Sequence, residues 1–189
     1  MIPVRLSSND VKWAMEVGND RWLRAKKRKS KARFKGAKLE HHLMGAGGEL
    51  AFCRALGLAW PASLDSYHDD NKPDVYPNWE VRTAPRMRGV KVVDTDSDSR
   101  LAVWVRGDRP DQNPTYEIMG YLRAGGVKRH LEWFKDRFEK DRAFWLAPER
   151  NMVPINPDFH DACGYARDEM GRWACAFCGA GIEGIAHAV

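Results

Sequence analysis

The spacing of apolar residues predicts two helices in the first third of the chain. Val11, Ala14 and Met15 recur near helical spacing behind residues 7–10 (SSND), which are good helix N-caps. A second helix is predicted over residues 39–57, ending at Gly57. Its stretch 45–48 (GAGG) is a poor helix interior, so we expect these small residues to permit close backbone approach.

After residue 60 the pattern changes to short alternating segments between Pro- and Asp-rich loops. Strands are predicted over residues 79–83, 89–93, 101–106, 116–122, 143–146 and 152–155. The acidic turn 95–99 predicts a hairpin between the second and third of these, and a Gly125-Gly126 loop should follow the fourth. Leu131, Phe134 and Phe138 predict a helix over residues 128–142. This order predicts an α/β protein, a sheet with helices packed on it.

The length of 189 residues fits one compact domain plus a small appendage. No apolar run approaches the roughly 20 residues that cross a bilayer, and the first ten residues lack the features of a signal peptide. We therefore expect a cytoplasmic protein with no membrane partner. In a reducing compartment the clustered cysteines near the C-terminus favour metal binding over disulfides.

The net charge of +5 is concentrated in one segment. Residues 24–38 hold nine Lys or Arg and no acid; removing these nine from the 31 basic residues leaves 22, against 26 acidic ones. Such a run attracts phosphate backbones by counterion release, although a solvated connector is the commoner explanation. The candidate nucleic-acid-binding residues are Lys26, Lys27, Arg28, Lys29, Lys31, Arg33 and Lys35, with Phe34 available for stacking on a base.

Three carboxylates form a second candidate site. Glu49 lies on the second predicted helix, Asp74 lies in the turn KPDVYP, and Glu80 lies on the strand that follows, sharing a face with Arg82. Carboxylate oxygens suit Mg²⁺ or Mn²⁺, which activate water and stabilise charge on a phosphate. The ordinary alternative is turn chemistry at Asp74 and an exposed ion pair on the strand.

These motifs together resemble the PD-(D/E)XK nuclease superfamily, which places an acid on a first helix, then Pro-Asp, then Glu-x-Lys on a strand. More narrowly, the segments GGELAFCRALGL, KPDVYPNWEVRT and YEIMGYL are similar to small phage-encoded proteins with a Glu-Val-Arg-Thr motif. The resemblance spans residues 39–155. It implies a restriction-endonuclease-like αβββαβ core, a central mixed sheet flanked by helices, and Mg²⁺-dependent hydrolysis of phosphodiester bonds in DNA by a phage or mobile-element protein.

The resemblance also implies roles for the residues. Asp74, Glu80 and Glu49 would form the Mg²⁺ site, with Glu49 orienting a ligand or a water, and Arg82 would stabilise the phosphate. Arg82 stands where the superfamily has lysine, and arginine keeps its charge, so it cannot serve as a base. Lys72 or Lys91 is an alternative source of a lysine. The other hypothesis is a catalytically inactive nuclease fold that binds nucleic acid without cutting it.

A third candidate site lies in the C-terminal tail. The motifs His160-x-x-Cys163-Gly164 and Cys175-x-x-Cys178-Gly179, with eleven residues between Cys163 and Cys175, have the ligand set and spacing of a structural Zn²⁺ knuckle. His187 is a rival fourth ligand, and a redox pair at Cys175 and Cys178 is the alternative.

The predicted organisation has three parts: an N-terminal helix and basic segment (1–38), a nuclease-like core (39–155) and a zinc-binding tail (156–189). A protein-interaction factor that docks a partner through the zinc tail is a further functional alternative. His41 and His42 are expected on a helix surface, and His68 is left without an assigned role.

Overall fold

A computed structural model of the chain describes residues 1–27, 38–64, 72–86, 88–135 and 144–155, and the backbone of 165–167 and 173–175. The helices are α1 (Ser8–Lys27), α2 (Leu39–Leu56) and α3 (Ala124–Lys128), with 3-10 turns at Leu131–Trp133 and Glu149–Asn151. The strands are β1 (Ile2–Arg5), β2 (Trp79–Ala84), β3 (Gly89–Val93), β4 (Leu101–Arg106), β5 (Thr115–Arg123), β6 (Phe134–Lys135), β7 (Phe144–Pro148), β8 (Tyr165–Arg167) and β9 (Trp173–Cys175).

The main sheet has four strands in the order β1-β5-β4-β2. It is mixed, because β2 runs parallel to β4 while β5 is antiparallel to both β4 and β1. A second, antiparallel sheet has the order β3-β7-β6, and β8 pairs with β9 in a separate hairpin. The prediction of an α/β fold with a mixed sheet and flanking helices is confirmed. None of the helices in the described ranges is long and apolar enough to span a membrane.

The main sheet is buried on both faces. Trp79 and Val81 of β2 project into a core with Leu50 and Phe52 of α2, and residues of β1 and α1 join the same core. Trp104 of β4 projects to the opposite face, where it meets the second sheet and α3. The result is three layers in which the main sheet lies between the helix pair α1–α2 and the second sheet.

Helix α1 begins at a reciprocal pair of side-chain caps. The Ser7 hydroxyl accepts a hydrogen bond from the Asp10 backbone N–H at 3.2 Å, while Asp10 accepts one from the Ser7 backbone N–H at 3.2 Å. This reciprocal pair satisfies amides that the first turn leaves unpaired. The helix continues to Lys27, so the start of the basic run is helical.

Helix α2 has the predicted bounds, with Gly57 at φ 64° closing it. A Cβ on Gly47 would lie 2.1 Å from the Tyr116 hydroxyl, and a Cβ on Gly48 would lie 1.8 Å from the Thr83 hydroxyl. The expected close approach at residues 45–48 is therefore confirmed for these two glycines.

His42 is buried under α1, whose Gly18 packs on its backbone, so the prediction that both histidines lie on a helix surface is wrong for His42.

Two local predictions are wrong because long-range pairing determined the structure. Strand β3 pairs with β7, and β4 pairs with β2 and β5, so residues 95–99 connect two sheets and do not close a hairpin. The predicted Gly125-Gly126 loop lies in α3. That helix ends at Lys128, after which Phe134 and Lys135 pair with β7, and Leu131 is 80% exposed. The helix predicted over 128–142 is thus absent from the described part of that range.

Candidate active site

The carboxylate motif lies on β2, the edge strand of the main sheet. Glu80 and Arg82 project to the face opposite Trp79 and Val81, as the alternation of a strand requires. The chain doubles back before β2, with two backbone hydrogen bonds of 3.1 and 2.9 Å between Val75 and Trp79. This turn lays Asp74 along the outer edge of β2, where its carboxylate accepts the backbone N–H of Val81 at 2.9 Å.

Asp74 and Glu80 form a half-buried pair of carboxyl groups. Burial raises the pKa of Asp74 well above its usual value, and the charges of Glu49 and Glu80 raise it further. Burial also raises the pKa of Glu80, against the effect of Arg82, and Glu80 is hydrogen-bonded to Asp74. Two carboxyl groups in contact cannot both ionise freely, so the pair retains a proton more readily than exposed carboxyls do.

Arg82 lies between two carboxylates. One guanidinium nitrogen is 2.9 Å from Glu80 Oε1, and the other donates to Asp96 Oδ1 at 2.8 Å. Burial alone would lower the pKa of Arg82, but Glu80 and Asp96 raise it above its usual value. Arg100, itself buried, approaches Glu80 Oε2 at 3.4 Å. Arg82 therefore stays charged and cannot accept a proton from water.

The turn that carries Asp96 is held from two sides. Asp96 Oδ2 accepts the backbone N–H of Val93 at 2.9 Å. The Lys128 ammonium group of α3 donates to the backbone carbonyls of Asp94, at 3.1 Å, and Asp96. It also contacts the Asp98 carboxylate at 3.0 Å. The short helix α3 thereby fixes the turn that orients Arg82.

Asp96 and Arg100 were not among the residues selected from the sequence. Asp96 belongs to an acidic turn that was assigned to a hairpin, and Arg100 belongs to no motif. The only signal for Arg100 is its position just before β4, whose parallel pairing with β2 aligns Leu101 with Trp79. That alignment cannot be inferred from local pattern.

Glu49 is brought near this cluster but is already bound. Its two carboxylate oxygens each accept a hydrogen bond from Arg21 of α1 at 2.7 Å. Trp60 Nε1 donates to the same carboxylate at 3.1 Å, and Arg21 Nε donates to the Ser63 carbonyl at 2.7 Å. The influence of Glu49 on the pKa of Asp74 places its charge within electrostatic range of the pair.

The fit to a divalent cation rests on Asp74 and Glu80. Their oxygens are the ligand type that Mg²⁺ and Mn²⁺ prefer, and a cation would relieve the repulsion that raises their pKa values. Over the described ranges, however, no three His, Cys, Asp or Glu side chains are grouped to hold a metal. The lysine alternative Lys91 lies on β3, with its ammonium group 4.6 Å from the Phe144 ring centroid.

The other predicted sites fall largely outside the described residues. Lys26 and Lys27 end α1, and the Lys26 ammonium group lies 4.7 Å from the Trp22 ring. Cys175 lies in β9, with its backbone opposite Tyr165 of β8. The residues outside the described ranges are Arg28, Lys29, Lys31, Arg33, Lys35, His68, His160, Cys163, Cys178 and His187.

The fold and the site define an α/β protein with a half-buried carboxylate–arginine cluster at the edge of a mixed sheet. Comparisons of the chain with protein-family models, with curated proteins and with solved structures find no match. Function is therefore inferred from the geometry and chemistry of the residues themselves.

Proposed function

We propose that the chain is a divalent-metal-dependent nuclease that hydrolyses phosphodiester bonds in DNA, on a core like that of the PD-(D/E)XK superfamily. The observation that carries the proposal is the half-buried Asp74–Glu80 pair, whose pKa values are raised, beside the charged Arg82. Holding two like charges together away from water is unfavourable for folding, and carboxyl groups with raised pKa values cluster at functional sites.

In this proposal Asp74 and Glu80 hold Mg²⁺ or Mn²⁺. A bound ion supplies an activated water and neutralises charge on the phosphate. Arg82 contributes a fixed positive charge on the same strand face as Glu80, which would stabilise the charge on the phosphate while its nitrogens stay on Glu80 and Asp96. Glu49 acts on the pair through its charge, since its oxygens are bound to Arg21 and Trp60.

A second candidate function is a nucleic-acid-binding module without catalysis. It is favoured by the arrangement of Glu80, which is already balanced by the guanidinium groups of Arg82 and Arg100. A cation would have to compete with two fixed positive charges for that carboxylate. In this alternative the arginines have replaced the metal, and the cluster is a structural ion-pair network.

Cleavage of supercoiled plasmid and of single-stranded DNA in Mg²⁺, Mn²⁺ or EDTA separates the two functions. The nuclease proposal expects metal-dependent cutting that is lost in Asp74→Asn. The matched control is Glu117→Gln, a carboxylate on β5 that pairs with Arg106 at 2.5 Å outside the cluster and should leave cutting unchanged. Salt-sensitive binding with no cutting in any metal would support the binding module instead.

Arg82→Lys gives a second, independent comparison. Lysine restores the superfamily residue but cannot donate to Glu80 and Asp96 through a planar fork. If the site cuts DNA, this variant should retain or gain activity while losing some stability. If the cluster is only a structural network, the variant should lose stability with no cutting gained.

We propose in addition a structural Zn²⁺ bound by His160, Cys163, Cys175 and Cys178 in a zinc knuckle. Support comes from the ligand spacing and from the β8–β9 pairing, which places Cys175 in a hairpin. Elemental analysis of fresh protein should find near-stoichiometric zinc, and Cys175→Ser should lose it. Protein without zinc would contradict the zinc knuckle. It would also contradict docking of a partner through that knuckle.

A further inference from the structure

A second surface has chemistry of its own, on the face of the main sheet opposite α1 and α2. It is a groove of about 300 Å³ formed by the end of β5, helix α3 and the 3-10 turn that follows. Its floor is apolar, with Leu122, Val127 and Trp133. Its rim carries Arg123, Arg129 and His130, all exposed. Among the described residues that line this groove, none is acidic.

The aromatic wall is a pair of stacked rings. The His130 imidazole and the Trp133 indole lie 3.9 Å apart at their centroids, with planes inclined by 19°. The Glu132 carboxylate contacts His130 Nδ1 at 2.8 Å and holds the imidazole in place. Trp133 is anchored in the core beneath, so the outer surface of His130 forms a flat platform at the mouth of the groove.

The two arginines have charge to offer a ligand. Across the described residues, neither Arg123 nor Arg129 forms an ion pair with a carboxylate. Uncommitted guanidinium groups at the rim of an apolar, aromatic groove match a ligand that is flat, apolar on its faces and negatively charged at its periphery. A nucleotide within a single strand has these properties, because its base is unstacked and its phosphates flank it.

We propose that this groove binds an unpaired nucleotide of single-stranded DNA, with the base against His130 and Trp133 and the flanking phosphates on Arg123 and Arg129. This inference rests on the proposed function in one respect, the choice of nucleic acid as the ligand. Helix α3 links the two surfaces, because Val127 lines the groove while Lys128 holds the turn of Asp96, which orients Arg82. A strand seated here would approach the carboxylate cluster from the α3 side.

The test measures binding of a fluorescein-labelled oligothymidylate to the full chain by anisotropy in EDTA, so that cleavage plays no part. We expect His130→Ala, Arg123→Gln and Arg129→Gln each to weaken binding by about tenfold. The salt dependence should fall by about 0.7 per lost phosphate contact. The control is Arg54→Gln, which removes one charge from the opposite layer, where Arg54 pairs with Asp10 on α1, and should bind as the parent does.

An abasic oligonucleotide separates stacking from charge. It keeps the phosphates and lacks the bases, so His130→Ala should cost no affinity on it while the arginine variants still do. Equal losses in Arg54→Gln, unchanged affinity in all groove variants, or an equal loss on a blunt duplex would each overturn the proposal. Because the binding test is done without metal, those outcomes do not bear on the nuclease proposal. Conversely, the cleavage result for Asp74→Asn does not bear on binding in the groove.

Discussion

Glu49, which is buried, and Asp74, which is half-buried, are two carboxylates with opposite surroundings in the structure. Glu49 has both oxygens matched by Arg21 and a third bond from Trp60. Asp74 has one backbone N–H and the repulsion of two neighbouring carboxylates, which raises its pKa. The first arrangement is complete within the protein, and the second is left with an excess of negative charge.

The difference separates a structural carboxylate from one suited to a ligand. A complete buried ion pair adds little net stability, but removing one partner is strongly destabilising because the other is left as an uncompensated buried charge. An incomplete carboxylate pair lowers the stability of the folded protein, and only a bound cation would restore that stability. Glu49 therefore ties α1 to α2, whereas Asp74 and Glu80 are the groups through which a cation would act.

The largest expected effect is on the structural side of this comparison. Glu49→Gln should lower the free energy of unfolding by about 3–5 kcal/mol, because the Arg21 guanidinium stays buried without its charge partner. Urea denaturation measures the loss.

Replacing both residues, as Arg21→Met with Glu49→Met, should recover much of that stability. If the stable double variant still cuts DNA, Glu49 has no catalytic part; if it is stable and inactive, the charge of Glu49 is needed at the site. A single variant as stable as the parent would contradict the comparison itself.

The next effect tests the contact between α2, which carries Glu49, and β2, along which Asp74 lies. Gly48 packs on Thr83 of β2, so Gly48→Ala should cost about 1–3 kcal/mol through overpacking. Gly45→Ala is the matched control, since a Cβ there meets nothing within 4 Å. Thermal unfolding of both variants should separate them clearly, and an equal response would mean that α2 does not lie directly on β2.

A smaller effect of opposite sign is expected at Asp74. Asp74→Asn keeps an acceptor for the Val81 N–H and removes a half-buried charge that Glu80 and Glu49 repel, so it should raise the free energy of unfolding by about 1 kcal/mol at pH 8 without metal. Cleavage should be lost at the same time. A destabilised Asn variant would mean that the negative charge of Asp74 is satisfied in the folded protein.

The smallest effect is a pH dependence of that gain. The pKa of Asp74 is raised in the folded protein, so its proton favours folding below the ordinary carboxyl value of 3.8. That contribution is lost as pH rises through the higher folded-state pKa. The stability of the wild type should therefore fall relative to Asp74→Asn across this interval, by at most about 1.4 kcal/mol per pH unit, the limit for one proton. Mg²⁺ should reduce the difference, and parallel pH profiles would exclude a raised pKa.

Much of the secondary structure could be predicted because it is encoded locally. Helix α2 and strands β2, β3 and β4 have bounds at or near those expected from apolar spacing and from the Gly57 stop. Strand partners could not be predicted, because β3 pairs with β7 across some fifty residues and local pattern carries no information on that choice. The same pairing of β7 with Phe134 and Lys135 replaced part of the helix expected over 128–142.

The candidate site was predictable to a similar extent. Alternation on β2 places Glu80 and Arg82 on one face, and the turn between Val75 and Trp79 brings Asp74 beside them. Arg21, Trp60, Asp96 and Arg100 could not be selected, because each reaches the site through packing between elements distant in the chain. These residues also determine which carboxylate has a full set of hydrogen-bond partners and which does not. The proposed function therefore depends on long-range contacts that the local sequence does not encode.

The position of Asp74 along β2 has a consequence for the behaviour of the protein at high concentration. An edge strand offers unpaired amides to any other chain, and β1, at the opposite edge of this sheet, carries a proline that cannot donate one. On β2 the Asp74 carboxylate occupies the Val81 amide, and the turn at Val75 occupies that of Trp79. The residue proposed to bind metal thus also blocks intermolecular strand pairing, which would favour an acceptor side chain at this position even in a chain that had lost catalysis.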